Sequence, residues 1–168
     1  MLRRNFLTGT ATVGAAGLAL AACSTFKNLT TPQAIVQQVL NDAGIIANGL
    51  ANVVPAIQGV PANIVTVLTD AAKDAETAAS DLSATMTSNV AQPLVARIEG
   101  DVQTFVKDLA AFATSPTVQS IMSDIQIVLP LLVTAVGLAL PAGVAKVASV
   151  ADVAAARARL AVLPKVKA

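Results

Sequence analysis

The side chains that most often carry chemistry in proteins are scarce in this chain. It has no histidine, and Cys23 is its single cysteine. Without histidine, His-based catalytic triads and His-containing metal sites are excluded. One thiol cannot form a disulfide within the chain. Besides Cys23, carboxylates remain as candidate groups for acid–base chemistry.

Two pairs of acidic residues have a spacing that acid–base catalysis could use. Asp70 and Asp74 are one helical turn apart, and Glu99 and Asp101 flank a glycine. Acid–base catalysis needs two carboxylates in different environments within one pocket, whereas we expect both pairs to lie on solvated helix faces. The chain also has no phosphate-binding glycine loop, calcium loop or nucleophile elbow. We predict that it is not an enzyme and has no metal or diffusible cofactor.

Cys23 ends an apolar segment, and the residues before it are Leu20, Ala21 and Ala22. This tetrapeptide resembles the lipobox of bacterial lipoprotein precursors. In that family, small residues let the backbone enter a narrow protease site, and the thiol forms a thioether with diacylglycerol. The resemblance implies lipidation of Cys23, cleavage before it and a mature protein that begins there. The alternative is an ordinary cleaved signal whose processing site contains a cysteine.

Residues 1–22 have the organisation of an export signal. A cationic stretch precedes an apolar run over residues 9–22, which is too short to span a bilayer as a stable helix. The residues that resemble the twin-arginine export motif are Arg3, Arg4, Phe6 and Leu7. Leu2 and Thr8 differ from the residues common in that family. The alternative is the general secretory route, with the arginines supplying only positive charge.

The predicted location is the bacterial envelope, facing the periplasm or the cell exterior. Each buried methylene of an acyl chain contributes about 0.8 kcal/mol, so the two or three chains on Cys23 would anchor the protein durably. Ser24 follows Cys23, and an acidic residue there is the inner-membrane retention signal of Gram-negative lipoproteins. The outer membrane is therefore favoured. Residues 23–31 are predicted to be a polar tether.

Composition favours a helical domain over residues 32–168. The chain is 55% hydrophobic, 12% charged and without Trp or Tyr, and much of its apolar content is alanine, which suits close helix packing. We predict one all-α domain, an antiparallel bundle of four to five helices with Pro/Gly connectors. No basic patch interleaved with aromatic residues is present, so nucleic acid is not an expected partner.

Apolar residues recur every three or four positions along each predicted helix. The first helix is predicted to begin at Pro32 and end before Pro55, with Asp42 on its polar side. The second, third and last are predicted over residues 62–88, 93–113 and 144–163. Ser115 and Pro116 have the hydroxyl-then-proline pattern typical of a helix start, and they begin the fourth.

The fourth segment is the most apolar part of the mature chain. Residues 125–145 contain no charge, which meets the length criterion for a membrane span. Pro130, Gly137, Pro141 and Gly143 would interrupt such a span. We therefore expect a central bundle helix that its neighbours cover, with membrane insertion as the alternative.

The C-terminal stretch carries Arg157, Arg159, Lys165 and Lys167 with no acid after Asp152. We expect these residues to be frayed and solvated. The alternative is contact with an anionic surface.

Three functions are compatible with these features. The first is a membrane-anchored, non-enzymatic envelope lipoprotein that acts as a structural or protein-interaction module, with a protein partner or a second copy on its helix faces. The second is a carrier that holds an apolar ligand or lipid in its bundle. The third is a membrane-active protein that inserts residues 125–145.

Overall fold

The computed structural model describes residues 32–83, 85–112, 114–137 and 148–166. Within these residues the chain forms five α-helices and no β-strand. They are α1 (Pro32–Ala56), α2 (Ala62–Asp81), α3 (Ser88–Leu109), α4 (Pro116–Ala135) and α5 (Val150–Ala161). The all-α prediction is confirmed.

The first four helices form an antiparallel bundle. The start of α1, the end of α2, the start of α3 and the end of α4 meet around one small pocket, whose lining includes Ile35, Leu82, Ala91 and Val136. The most extensive contacts are between α2 and α3, α1 and α4, and α1 and α2. α5 packs against α4 and α1. Because α1 contacts all four other helices, it is the centre of the molecule.

The apolar stripes of the sequence form a single core. The predicted stripe of α4 is buried along its whole length, at Ile121, Ile125, Val128, Leu132 and Val136. α2 buries Leu68 and four alanines, so α1 and α3 can approach it closely. At the start of the α3 stripe, Val95 is fully buried, whereas Leu94, the residue predicted there, is only partly buried.

Two helix starts are stabilised by serine caps. Ser115 accepts a hydrogen bond on Oγ from the Val118 amide at 3.3 Å, and Pro116 occupies the first helical position, which confirms the predicted start of α4. In α5 a capping box joins Ser149 and Asp152, whose side chains accept hydrogen bonds from each other's backbone amides. The described part of α5 therefore begins at Val150, later than the predicted residue 144.

Three predicted helix boundaries were wrong. α1 continues through Pro55 to Ala56, because a proline in the last turn removes only one hydrogen bond. α3 begins at Ser88 and contains Pro93, so the turn predicted before Pro93 is helical. α2 ends at Asp81, since Leu82 adopts an extended backbone (ψ 137°) and buries its side chain in the core.

α4 is the one helix of the described residues that is long and apolar enough to cross a membrane. Of its most apolar window, 56% is buried inside the bundle. The helix ends at Ala135, and Gly137 follows with a φ of 76°, a conformation that favours glycine. Residues 125–145 therefore do not form one continuous helix. Residues 138–147 lie outside the described residues.

Candidate ligand-binding groove

A groove of about 760 Å³ opens to solvent between α1, the second half of α2, α5 and the residues that follow α5. Small side chains form much of its lining: Gly44, Ala47, Ala51, Ala79 and Ser80. Larger aliphatic residues are interspersed with them: Leu40, Ile45, Leu160 and Leu163. A volume of this size is within the range of small-molecule sites, about 300–1,000 Å³.

Gly44 leaves open space on the α1 side of the groove. A Cβ atom at this position would meet no other atom within 4 Å, so any side chain here would project into open space. In a helix interior, glycine is less favourable than alanine by about 1 kcal/mol. The sequence therefore places a costly residue where the structure has empty volume.

The residues after α5 form one wall of the groove and are attached to α1 by two asparagines one turn apart. Asn52 donates from Nδ2 to the carbonyl oxygen of Pro164 at 2.9 Å. The amide of Val166 donates to Oδ1 of Asn48 at 3.2 Å. These two hydrogen bonds hold the segment after α5 against α1.

A buried ion pair lies beside the groove. Arg157 donates from Nε and Nη2 to the two carboxylate oxygens of Asp42, at 2.8 and 2.5 Å. Gln38 also donates to Oδ1 of Asp42 at 2.9 Å. The Asp42 side chain is 1% exposed and that of Arg157 20% exposed. Burial raises the pKa of Asp42, and the hydrogen bond and charge of Arg157 oppose that rise.

A second pair fixes α5 from its other side. Arg159 donates from Nε and Nη2 to Asp124 of α4, at 2.8 and 2.5 Å. The Asp124 side chain is 5% exposed, whereas that of Arg159 is 55% exposed. The hydrogen bonds that Arg159 donates to Asp124 raise the pKa of Arg159. α5 is thus held to α1 and α4 by two bidentate arginine–carboxylate contacts, the strongest class of charge-assisted hydrogen bond.

These pairs correct two predictions. Asp42 does not lie on the polar side of the first helix. Arg157 and Arg159 are not frayed, because both are helical and paired with buried acids, although the Arg159 side chain is exposed as predicted. The sequence contains one indication that these two acids are buried. Asp42 comes three residues after Val39 and four before Ile46, which is the spacing of the buried stripe. Asp124 has the same relation to Ile121 and Val128.

The acidic pairs considered for catalysis lie on α2 and α3, outside the lining of the groove. Asp70 is exposed, and Asp74 forms an ion pair with Arg97, both side chains being about half exposed. Burial raises the pKa of Glu99. The prediction of a fully solvated exterior fails at Asp101, which is partly buried.

Asp101 has a buried Oδ2 with no hydrogen-bond partner among the described residues. Burial raises the pKa of this carboxyl to about 6; the charge of Asp74 adds to the rise and that of Arg97 opposes it. The raised pKa thus favours the protonated form of the Asp101 carboxyl at mildly acidic pH. Neither Asp74 nor Asp101 lines the groove.

A smaller pocket of about 210 Å³ lies at the end of the bundle where α1 begins. Its lining is apolar apart from Ser83 and includes Ile35, Val39, Met86 and Val136. At the same end of the bundle, Gln92 donates from Nε2 to the Val136 carbonyl oxygen at 2.8 Å, and this hydrogen bond joins α3 to the end of α4.

The residues predicted for export and processing lie outside the described residues. They are Arg3, Arg4, Phe6, Leu7, Leu20, Ala21, Ala22 and the lipid-attachment residue Cys23. Within the described residues, no three acidic side chains lie close enough together to hold a metal ion. Comparisons of the chain with protein-family models, with curated proteins and with solved structures found no match.

Proposed function

We propose that this chain is the precursor of a membrane-anchored bacterial envelope lipoprotein whose five-helix domain is a non-enzymatic interaction module. The resemblance of Leu20–Cys23 to a lipobox supports the anchor. Lipidated at Cys23, the mature protein faces the periplasm or the cell exterior. The outer membrane is favoured in a Gram-negative cell.

The groove between α1, α2 and α5 is the observation that carries the interaction role. It combines about 760 Å³ of open volume with a lining of small and aliphatic residues. Its acid on α1, Asp42, is already neutralised by Arg157. Such a surface supports binding better than catalysis, because general acid–base or nucleophilic chemistry needs an available reactive group in the pocket.

A second candidate function, that of an apolar-ligand carrier, is favoured by the same lining. The groove is open along the surface, so the ligand would lie between helices at the surface and not in the centre of the bundle. The structural module and the carrier differ in what occupies the groove, a protein or a small amphiphile.

Photo-crosslinking from the groove in intact cells tests the proposal. A benzophenone amino acid is introduced at Asn41, an exposed residue of the groove lining, in the full-length lipoprotein. The matched control carries it at Gln103, an exposed residue of α3 outside the lining. We expect a discrete adduct from position 41 and none from position 103. Equal yields, or no adduct from either position, would contradict a binding role for the groove.

A further inference from the structure

We propose that the groove binds an amphiphile with one acyl chain that ends in a carboxylate or phosphate group. This inference rests on the proposed role of the groove as the binding surface. It names the class of ligand, and it is argued from the lining residues and their charges.

The apolar part of the groove fits a flexible chain better than a rigid ligand. Gly44, Ala47 and Ala51 are spaced so that they lie along one side of α1, and Ala79 of α2, Leu40 and Leu163 also line the groove. The lining is thus formed largely by small and aliphatic side chains, and it contains no aromatic residue to stack on a ring. A single acyl chain gains favourable contacts with such a lining for every methylene that it buries.

The charged groups of the lining are distributed unevenly. The lining has four charged residues. Arg157 and Lys165 are both on the α5 side, whereas Asp42 of α1 is paired with Arg157 and Glu76 of α2 already has an interaction partner. Arg157 uses Nε and Nη2 on Asp42, so the N–H groups of its Nη1 keep their donor capacity. Lys165 is exposed and has no ion-pair partner among the described residues. Together they can bind the oxygens of a carboxylate or phosphate.

The predicted anchor would keep the groove close to such ligands. From Cys23 to Pro32 the tether has nine residues, which span at most about 30 Å when fully extended. A domain on this tether stays within reach of the membrane surface. Single-chain amphiphiles leave a bilayer more readily than two-chain lipids, because they bury fewer methylenes in it.

The test uses diazirine-labelled probes added to washed membranes that contain the full-length lipoprotein. One arm uses a fatty acid, one a lysophospholipid, and one an uncharged fatty alcohol of the same chain length. Illumination is followed by peptide mapping of the adducts. We expect the fatty acid or the lysophospholipid to label groove peptides at least fivefold more than the alcohol, and the stronger of the two identifies the source. Equal labelling by the alcohol would overturn the anionic headgroup.

Two variants connect the labelling to the groove. Gly44→Leu fills open volume in the groove and should reduce labelling at least fivefold. The matched control Gly100→Leu fills open space on α3, outside the lining, and should leave labelling unchanged. Lys165→Glu changes an exposed residue beyond the last helix, so the core is preserved, and it should weaken labelling by the anionic probes only. Unchanged labelling in Gly44→Leu and Lys165→Glu would overturn the inference.

The failure of this inference is distinguishable from failure of the proposed function. If the crosslinker at Asn41 captures a protein and the charged probes do not label the groove, the interaction role stands and the amphiphile is wrong. If neither the crosslinker nor any probe labels the groove, both are wrong.

Discussion

Asp42 and Asp124 are acids at core positions of two different helices, and both are neutralised by arginines of α5. Among its described residues α5 buries only Val153, Ala156 and Leu160. The two bidentate ion pairs therefore contribute much of the attachment of α5 to the other helices. A buried carboxylate is costly unless it is paired and hydrogen-bonded, so the attachment depends on both partners being present.

Removing one partner of the Asp42–Arg157 pair should be more harmful than removing both. Arg157→Leu leaves the Asp42 carboxylate without its cation and should lower the free energy of unfolding by about 3 kcal/mol. The double variant Asp42→Leu/Arg157→Leu should recover most of that loss, because no buried charge remains. Urea unfolding followed by circular dichroism measures both values.

Arg97→Leu is the control for this prediction. Its ion pair with Asp74 is about half exposed on both sides, so the loss of stability should be much smaller than that of Arg157→Leu. If Arg157→Leu were as stable as the unmodified protein, the pair would not hold α5 in place.

Asp101 should make stability depend on pH. Its pKa of about 6 in the folded protein lies above the ordinary value of 3.8. The folded state then binds more protons in that interval, so its stability falls as the pH rises from about 4 to about 6. Asp101→Asn should flatten this slope and raise the free energy of unfolding at pH 7 by about 1 kcal/mol, after allowance for partial exposure.

Urea unfolding at a series of pH values between 4 and 7.5 provides the measurement for Asp101. Asp70→Asn, at an exposed position of α2, is the matched control and should keep the slope of the unmodified protein. An unchanged slope in Asp101→Asn would show that this carboxyl is not the source of the pH dependence.

At the scale of the helices, Gly49 lies where α1 closely approaches two of its neighbours. A Cβ atom there would lie 2.9 Å from Cδ1 of Ile125 on α4 and 3.3 Å from Cδ2 of Leu160 on α5. Both of those side chains are fully buried, so neither can move without disturbing the core. The glycine thus allows three helices to meet at one point.

Gly49→Ala and Gly100→Ala should have opposite effects. Alanine raises helix propensity by about 1 kcal/mol at both positions. At Gly49 the gain is exceeded by overpacking, which costs about 1–3 kcal/mol, so the variant should be less stable by about 1 kcal/mol. At Gly100 nothing lies within 4 Å, and the variant should gain about 0.5–1 kcal/mol. Thermal unfolding of both variants measures the difference, and a stabilised Gly49→Ala would refute the close approach.

At the scale of the whole molecule, the predicted anchor and the groove lie on different parts of the chain. The tether enters α1 at Pro32, the end of the bundle that also holds the smaller pocket. The groove lies farther along α1 and against α5. A lipid on Cys23 would therefore attach the domain by one end and leave the groove accessible to ligands.

Cys23→Ala should abolish membrane attachment. Without the thiol no thioether to diacylglycerol forms, so the variant should shift from the membrane fraction to the soluble fraction on cell fractionation. Its mass should also lack the acyl chains of the mature protein. Ser24→Ala serves as the control and should remain in the membrane. A membrane-bound, lipid-modified Cys23→Ala product would exclude lipidation at this residue.

The export route can be tested at Arg3 and Arg4. Replacing both with lysine keeps the positive charge but removes the paired guanidinium groups of the twin-arginine motif. We expect precursor to accumulate inside the cell, detected as the unprocessed form on an immunoblot. Normal processing of the Lys-Lys variant would instead assign the protein to the general secretory route.

The sequence alone was sufficient for the fold class, the main helices and most of the core. Helix stripes repeat every three or four residues, so burial at Ile125 or Val128 could be predicted from near neighbours in the chain. The start of α4 at Pro116 could also be predicted from neighbouring residues, since a hydroxyl residue before a proline indicates a helix start. The helix boundaries were predicted less accurately, because α1 continues past Pro55 and α3 begins before Pro93.

Only the tertiary structure decided how the charges and the groove are arranged. Asp42 and Arg157 are 115 residues apart, and no local pattern predicts that they meet. The burial of Asp101 depends on how α2 and α3 pack together. The groove likewise exists because α5 and the residues after it lie against α1, where Asn48 and Asn52 hold them. Local spacing determines which face of a helix is buried, whereas packing between distant helices determines which polar residues are buried with it.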